Sequence, residues 1–165
     1  MKYIKKFEED TNIQLKLEIA VHQNKAESVK YALKLGADPN IKDKFQGYLL
    51  FVAILNNNVE IVKELLKAGA NTDIKNDFGN TPLIMSAKDR FVRSKVRAGW
   101  ENDYYEENIL EELIMSGADW NQKDNDGDDF FDFLIDYFRQ PLREKYPEQY
   151  QEYKLRKDAE KYNIG

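Results

Sequence analysis

Three stretches of this chain answer one another, and the repeat constrains its shape more than any other feature. They are Leu35-Gly36-Ala37-Asp38-Pro39-Asn40-Ile41-Lys42-Asp43, Ala68-Gly69-Ala70-Asn71-Thr72-Asp73-Ile74-Lys75-Asn76 and Ser116-Gly117-Ala118-Asp119-Trp120-Asn121-Gln122-Lys123-Asp124. Gly36 and Gly69 stand 33 residues apart, and the same step separates Ala20 from Ala53, Val29 from Val62, Leu33 from Leu66 and Phe45 from Phe78. A unit of that length is too small to bury its own apolar face. It gains a core by stacking on its neighbours.

Each unit has an internal logic. Val59-Glu60-Ile61-Val62-Lys63-Glu64-Leu65-Leu66 repeats its apolar residues at helical spacing, which predicts a helix with one buried stripe. Gly69 ends it, because a left-handed C-cap costs glycine nothing. A polar stretch then reverses the chain, and Thr81-Pro82-Leu83 opens the next helix. Threonine caps free N–H groups there, and proline at the first helical position lacks a donor that would be unpaired anyway. Tyr48-Leu49-Leu50 stands at this place in the preceding unit and predicts a weaker cap; in the last unit Asp129-Phe130-Phe131 offers Asp129 as a substitute.

These segments resemble the ankyrin-repeat family. Asp77-Phe78-Gly79-Asn80-Thr81-Pro82-Leu83 matches its finger-to-helix motif, and Ile61 through Asn71 matches its second helix and turn; the resemblance covers roughly residues 12 to 136. It implies an all-α ankyrin-repeat solenoid: stacked antiparallel helix pairs, protruding β-hairpin fingers and a concave face that grips protein partners. The expected organisation is a single domain over 1–165. Its units are about 12–40, 41–73, 74–121 and a degenerate 122–140. Pro147-Glu148-Gln149-Tyr150 reads as a fresh helix start inside a polar, helical C-terminal cap at 141–165. Terminal units need such a face for solubility.

Composition narrows the functions. At 165 residues with 42% apolar content, the chain suits one packed domain. A net charge of −5 argues against nucleic acid or an anionic membrane surface as partner. There is no cysteine, which removes disulfides, thiolate metal sites and a thiol nucleophile. The one histidine, His22, has no acid or nucleophile patterned with it and reads as a surface residue. The start, Met1 to Asp10, lacks the apolar run of a secretory signal, and nothing approaches the ~20 apolar residues of a membrane span. No carboxylate pair singles out a general acid and base. The expectation is a cytoplasmic, monomeric protein that is not an enzyme and needs no cofactor or metal.

Three features are candidates for partner contact. The third unit carries 15 extra residues between its helices, near 90–105, including Trp100, Tyr104 and Tyr105. Long loops on rigid scaffolds often bind, although these aromatics equally suit packing on a lengthened helix. Phe45 and Phe78 occupy equivalent fingertips, and Trp120 takes the place of Pro39 and Thr72; each either anchors a partner or packs locally. Charge is the third feature. Glu101 to Asp136 holds 13 acidic residues and one basic one, whereas Lys88 to Ala98 holds five basic and one acidic. Within the acidic stretch lie Asp124, Asp126, Asp128 and Asp129. Read as a calcium loop, this segment has Gln122 and Phe133 where the first and last ligands belong, so it is better explained as a finger.

A lone negative field of this kind steers basic partners. The leading expectation is a small acidic inhibitor or immunity-type protein, of a composition like bacterial or phage products, neutralising a basic partner such as a nuclease-like toxin. The alternative is a general adaptor whose concave face holds a peptide or folded protein.

Overall fold

The structure, a computed structural model, describes residues 2–43, 47–88, 109–134 and 136–162. Helix α1 (Lys2–His22) packs antiparallel to α2 (Ala26–Lys34), and α3 (Leu49–Leu55) to α4 (Val59–Lys67). Helix α5 covers residues 82–88, and α6 is Ile109–Met115. A 3₁₀ turn at Phe130–Phe133 follows, then α7 (Asp136–Lys145) and α8 (Pro147–Tyr162). Helix α2 packs on α4 and α4 on α6, forming an outer layer; α1 packs on α3 in an inner layer where the repeat places α5. One continuous core runs between the layers, from Leu17 and Val21 through Ile54, Leu65 and Ile84 to Leu113 and Phe130. The fold is a stack of helix pairs.

The repeated residues have repeated jobs. Gly36, Gly69 and Gly117 follow the outer helices at φ +94°, +89° and +83°, the left-handed region that a side chain would strain. Two residues later Asp38, Asn71 and Asp119 each accept a hydrogen bond at 2.8 Å from the amide two positions on. Asn40 ties successive turns together, donating to the Gly69 carbonyl at 3.1 Å and accepting from the Asn71 amide at 2.8 Å. Between the helices of a pair, Asn24 and Asn57 take φ 58° and 52°, which asparagine tolerates better than most residues.

Caps follow the sequence closely. Thr81 Oγ1 accepts from the Ile84 amide at 3.3 Å, and Tyr48 makes no side-chain cap on α3. Asp129 accepts from the Phe131 amide at 3.0 Å while Asp132 accepts from the Asp129 amide at 2.9 Å, a reciprocal capping box. Two expectations change. Helix α1 begins at Lys2, ahead of residue 12, because the run before it contains good helix formers and neither glycine nor proline. The fingers, expected as β-hairpins, form no strand among the described residues. One bridge, Lys42 to Tyr48, is their only ladder contact there. The segment near 90–105 lies outside the described residues.

Asn58 caps α4 through the Ile61 amide at 2.9 Å, whereas its repeat equivalent Lys25 makes no side-chain cap on α2. Chemical denaturation should find Asn58→Ala destabilising by about 1 kcal/mol and Lys25→Asn stabilising by about 0.5 kcal/mol.

Candidate protein-interaction surface

Each finger is closed by the side chain of its own first residue. Asp43 accepts from the Gly47 amide at 2.9 Å, and Asn76 accepts from the Phe78 and Asn80 amides at 3.0 Å. Asp124 accepts from the amides of Asp126 and Asp128 at 2.9 and 3.0 Å. In each finger a backbone bond at 2.8 to 3.1 Å seals the base, as Asp43 to Gly47, Asn76 to Asn80 and Asp124 to Asp128. In the fingers that begin at Asn76 and Asp124 the tip residues form no strand. These two fingers are also knitted together, since the Asn125 side chain donates to the Asp77 carbonyl at 3.0 Å. Gly79 allows this approach: a Cβ there would lie 2.7 Å from the Asn125 nitrogen.

The finger bases also lock onto the preceding unit. His22 Nε2 lies 3.0 Å from Asp43 Oδ2, and Lys88 Nζ lies 2.7 Å from Asp124 Oδ2. His22, Leu55 and Lys88 are separated by 33 residues each, at the ends of the inner helices. The matching finger bases are Asp43, Asn76 and Asp124, so a carboxylate base goes with a basic helix end and the amide base with leucine. His22 is exposed, as its sequence context suggests, but it is also half of a junction with Asp43, which that context does not reveal.

Asp124 is held hard. Burial works to raise its carboxyl, but the Lys88 hydrogen bond, the amides of Asp128 and Asp126 and the Lys88 charge outweigh that and hold it below the ordinary aspartate value. Lys88 also donates to Asn80 Oδ1 at 2.8 Å and lies 4.4 Å from the centre of the Phe133 ring.

One turn before the row of helix ends comes an apolar row, Ile19, Val52 and Met85, again 33 residues apart. Ile19 is 44% exposed and Val52 and Met85 are half-buried. Leu55 at 57% and the fingertip Phe78 at 72% extend this surface. Inner helices and a fingertip thus both expose apolar side chains; the resemblance implied a concave binding face, but the residues singled out in the sequence included the fingertips and not these helix positions.

The other candidates divide. Trp120, a candidate partner contact in the sequence, is buried and packs edge-on against Phe130 and Tyr146 at ring distances of 5.4 and 6.0 Å, which makes it part of the core. Asp124 and Asp129, expected on a docking surface, are 8% and 0% exposed and are occupied in finger closure and helix capping. Asp126 remains exposed at the tip position shared with Phe78, and Asp128 is half-buried beside it. Phe45, Trp100, Tyr104 and Tyr105 lie outside the described residues.

Much of the acidic stretch is neutralised from within. Glu111, Glu112, Asp124, Asp129 and Asp132 each lie within 3.5 Å of a lysine: Lys145, Lys63, Lys88 and, for the last two, Lys157. Burial works against the Lys157 charge, but the Asp129 carboxylate and then Tyr153 and Asp132 hold its ammonium well above the ordinary range. Among the described residues no group of three His, Asp or Glu side chains has the arrangement of a metal site. No described helix is long and apolar enough to cross a membrane.

Comparison with known proteins agrees with this geometry. Residues 17–124 match the family model for ankyrin repeats, in three copies. The chain belongs to the ankyrin-repeat family. Its fold is similar to the crystal structure of the ankyrin repeat domain of Bcl-3, described as a unique member of the IkappaB protein family. That match has a TM-score of 0.57 and 24% identity, covering 73% of this chain and 47% of the other. The likeness is one of fold, and the chain spans about half of that domain's length. No curated protein sequence matches it. Ankyrin repeats make the protein a protein-binding module.

Lys88→Met should cost about 2 kcal/mol in denaturation midpoint experiments, less than a fully buried pair because part of the lysine meets water. A carboxyl with a lowered folded-state pKa stabilises above its unfolded value and stops doing so as pH falls through the folded one. Wild-type stability should therefore drop below about pH 4 with a contribution from Asp124, and Lys88→Met should show a shallower acid limb.

Proposed function

We propose that the protein is a non-catalytic module that holds a protein partner against the open face of its inner helices and fingers, acting as a cytoplasmic monomer. The observation that carries this is the apolar row Ile19, Val52 and Met85, continued by Leu55 and the fingertip Phe78. Three equivalent positions present apolar side chains that the core does not fully absorb, on a surface stiffened by junction bonds at His22 and Lys88. A pre-organised apolar strip loses little entropy on binding, and a protruding aromatic is the residue type that dominates binding energy.

The finer form is a partner of basic character, with the module serving as an inhibitor or immunity-type protein. Asp126 supports it, because this exposed carboxylate takes the tip position that Phe78 holds in the finger beside it. Asp128, half-buried, adds charge two residues on. The four-residue acidic cluster of the sequence contracts here to Asp126 and Asp128, since neutralising Asp124 or Asp129 would damage the fold before it touched a partner.

Binding to the co-purified partner should separate the two forms in calorimetry at several salt concentrations. Phe78→Ala should weaken binding by about 2 kcal/mol, roughly 30-fold, with an unchanged denaturation midpoint. If the partner is basic, Asp126→Asn with Asp128→Asn should flatten the salt dependence; a salt response equal to wild type would leave the adaptor form. Unchanged affinity in Phe78→Ala, Met85→Lys and the double Asn variant alike would place the interface elsewhere and sink both.

A further inference from the structure

Helix α8 lies across the end of the stack through one stripe: Tyr150, Tyr153, Arg156 and Lys157. The Tyr153 ring stacks on Phe131 at 4.2 Å with 26° between planes, and Tyr150 meets the same ring at 5.6 Å. Lys157 Nζ reaches Asp129 Oδ2 at 2.9 Å and Asp132 Oδ2 at 3.3 Å, and Arg156 Nη1 donates to the Asn121 carbonyl at 3.1 Å. Asp129 is wholly buried, with one oxygen committed to the capping box. Its other oxygen needs a cation from whatever covers it, because a buried carboxylate without a counter-charge is strongly destabilising. The end of the stack therefore selects a basic, aromatic helix.

Helix α8 meets that demand imperfectly. None of its described side chains is fully buried. A pocket of about 250 Å³, open to the surface, lies between Gln149, Glu152 and Tyr153 on α8 and Asp119, Trp120 and Asn121 beside it. Two carboxylates, Glu152 and Asp119, line that pocket together. Arg156 Nε and Nη2 are buried without a hydrogen-bond partner, and Asp129 Oδ2 has its close ammonium contact without hydrogen-bond alignment. An occupant with a cation in place of Glu152 would fit better on both volume and charge.

We propose that the end of the stack is a docking site for a basic helix of a partner protein, and that α8 is a tethered, imperfect occupant which that helix displaces. The recognised helix carries aromatic residues at positions i and i+3, as Tyr150 and Tyr153 do, a cation at i+7 like Lys157, and a cation instead of a carboxylate at i+2. This site is separate from the finger face and does not depend on the reading given above for that face.

A fluorescent peptide with the sequence of residues 146–162 tests this on the full chain by anisotropy. The peptide carrying Glu152→Arg should bind about 10-fold tighter than the unaltered peptide, and the peptide with Arg156→Gln and Lys157→Gln should not bind. Placing Glu152→Arg in the protein's own α8 should weaken capture of both binding peptides by about 10-fold, because the tethered helix now competes better. Glu152 is exposed, so this change leaves the fold intact, as circular dichroism would verify. Hydrogen exchange in α8 should rise when the peptide binds. No capture, capture indifferent to Glu152→Arg in the protein, or equal capture of the Gln peptide would each overturn the proposal. Concentration-dependent dimerisation that blocks the peptide would assign the site to a second copy of the chain, and would overturn it equally.

Discussion

A two-helix unit of this size has apolar residues on both sides, and the side facing the next unit can be dried only by that unit. Leu17, Ile54, Ile84 and Phe130 come from four successive units yet belong to one core. The junctions between units therefore decide whether the protein folds at all. Asn40 makes one of them at the outer turns, and Asp43 and Asp124 make others at the finger bases. A carboxylate in a finger base closes the loop on backbone amides as Asn76 does, but it buries charge, as at Asp43 and Asp124 with 5% and 8% exposure. Each of those carboxylates meets the basic end of the preceding inner helix, and where the base is the neutral Asn76 the helix ends in Leu55. The choice between acid and amide at one position thus sets the chemistry of its junction.

The repeat architecture could be read from the sequence because its signals are local. Glycines after the outer helices, Asx residues two places on, and Thr81 or Asp129 at a helix start each act on backbone groups within a few residues. Position in the repeat predicts their role. Charge behaved differently, because counting carboxylates between residues 101 and 136 cannot reveal which lysines fold back onto them. Lys63 and Lys88 approach from earlier units, and Lys145 and Lys157 from the tail. Trp120 was similarly opaque: an aromatic where other units have proline or threonine looks displayed until Phe130, Phe131 and Tyr146 are seen to enclose it. The partner of the exposed His22 was hidden for the same reason, since Asp43 lies 21 residues away and in another unit. Local chemistry was legible, and cross-unit pairing was not.

The two ends of the stack are finished by different means. At the start, α1 extends for 21 residues where α3 has seven. At the other end a 3₁₀ turn, Phe130–Phe133, stands where the earlier units have their inner helix, and α8 lies over its aromatic floor. The acidic stretch supports this second closure, since Asp129 and Asp132 receive Lys157 and Lys123 contacts Glu160 at 2.9 Å. Much of what looks like surface charge in the sequence is the seam along which the tail is fastened.

Closing each loop from its own first side chain has a consequence for how such a protein can change. In the fingers that begin at Asn76 and Asp124 the backbone is held by that first side chain and by the left-handed glycine at 79 or 127, so the residue just before the glycine carries little responsibility for keeping it in place. Phenylalanine at 78 and aspartate at 126 occupy the same geometric slot with opposite chemistry. A lineage could exchange the lettering of its fingertips and acquire new partners while the frame that presents them stayed as it was.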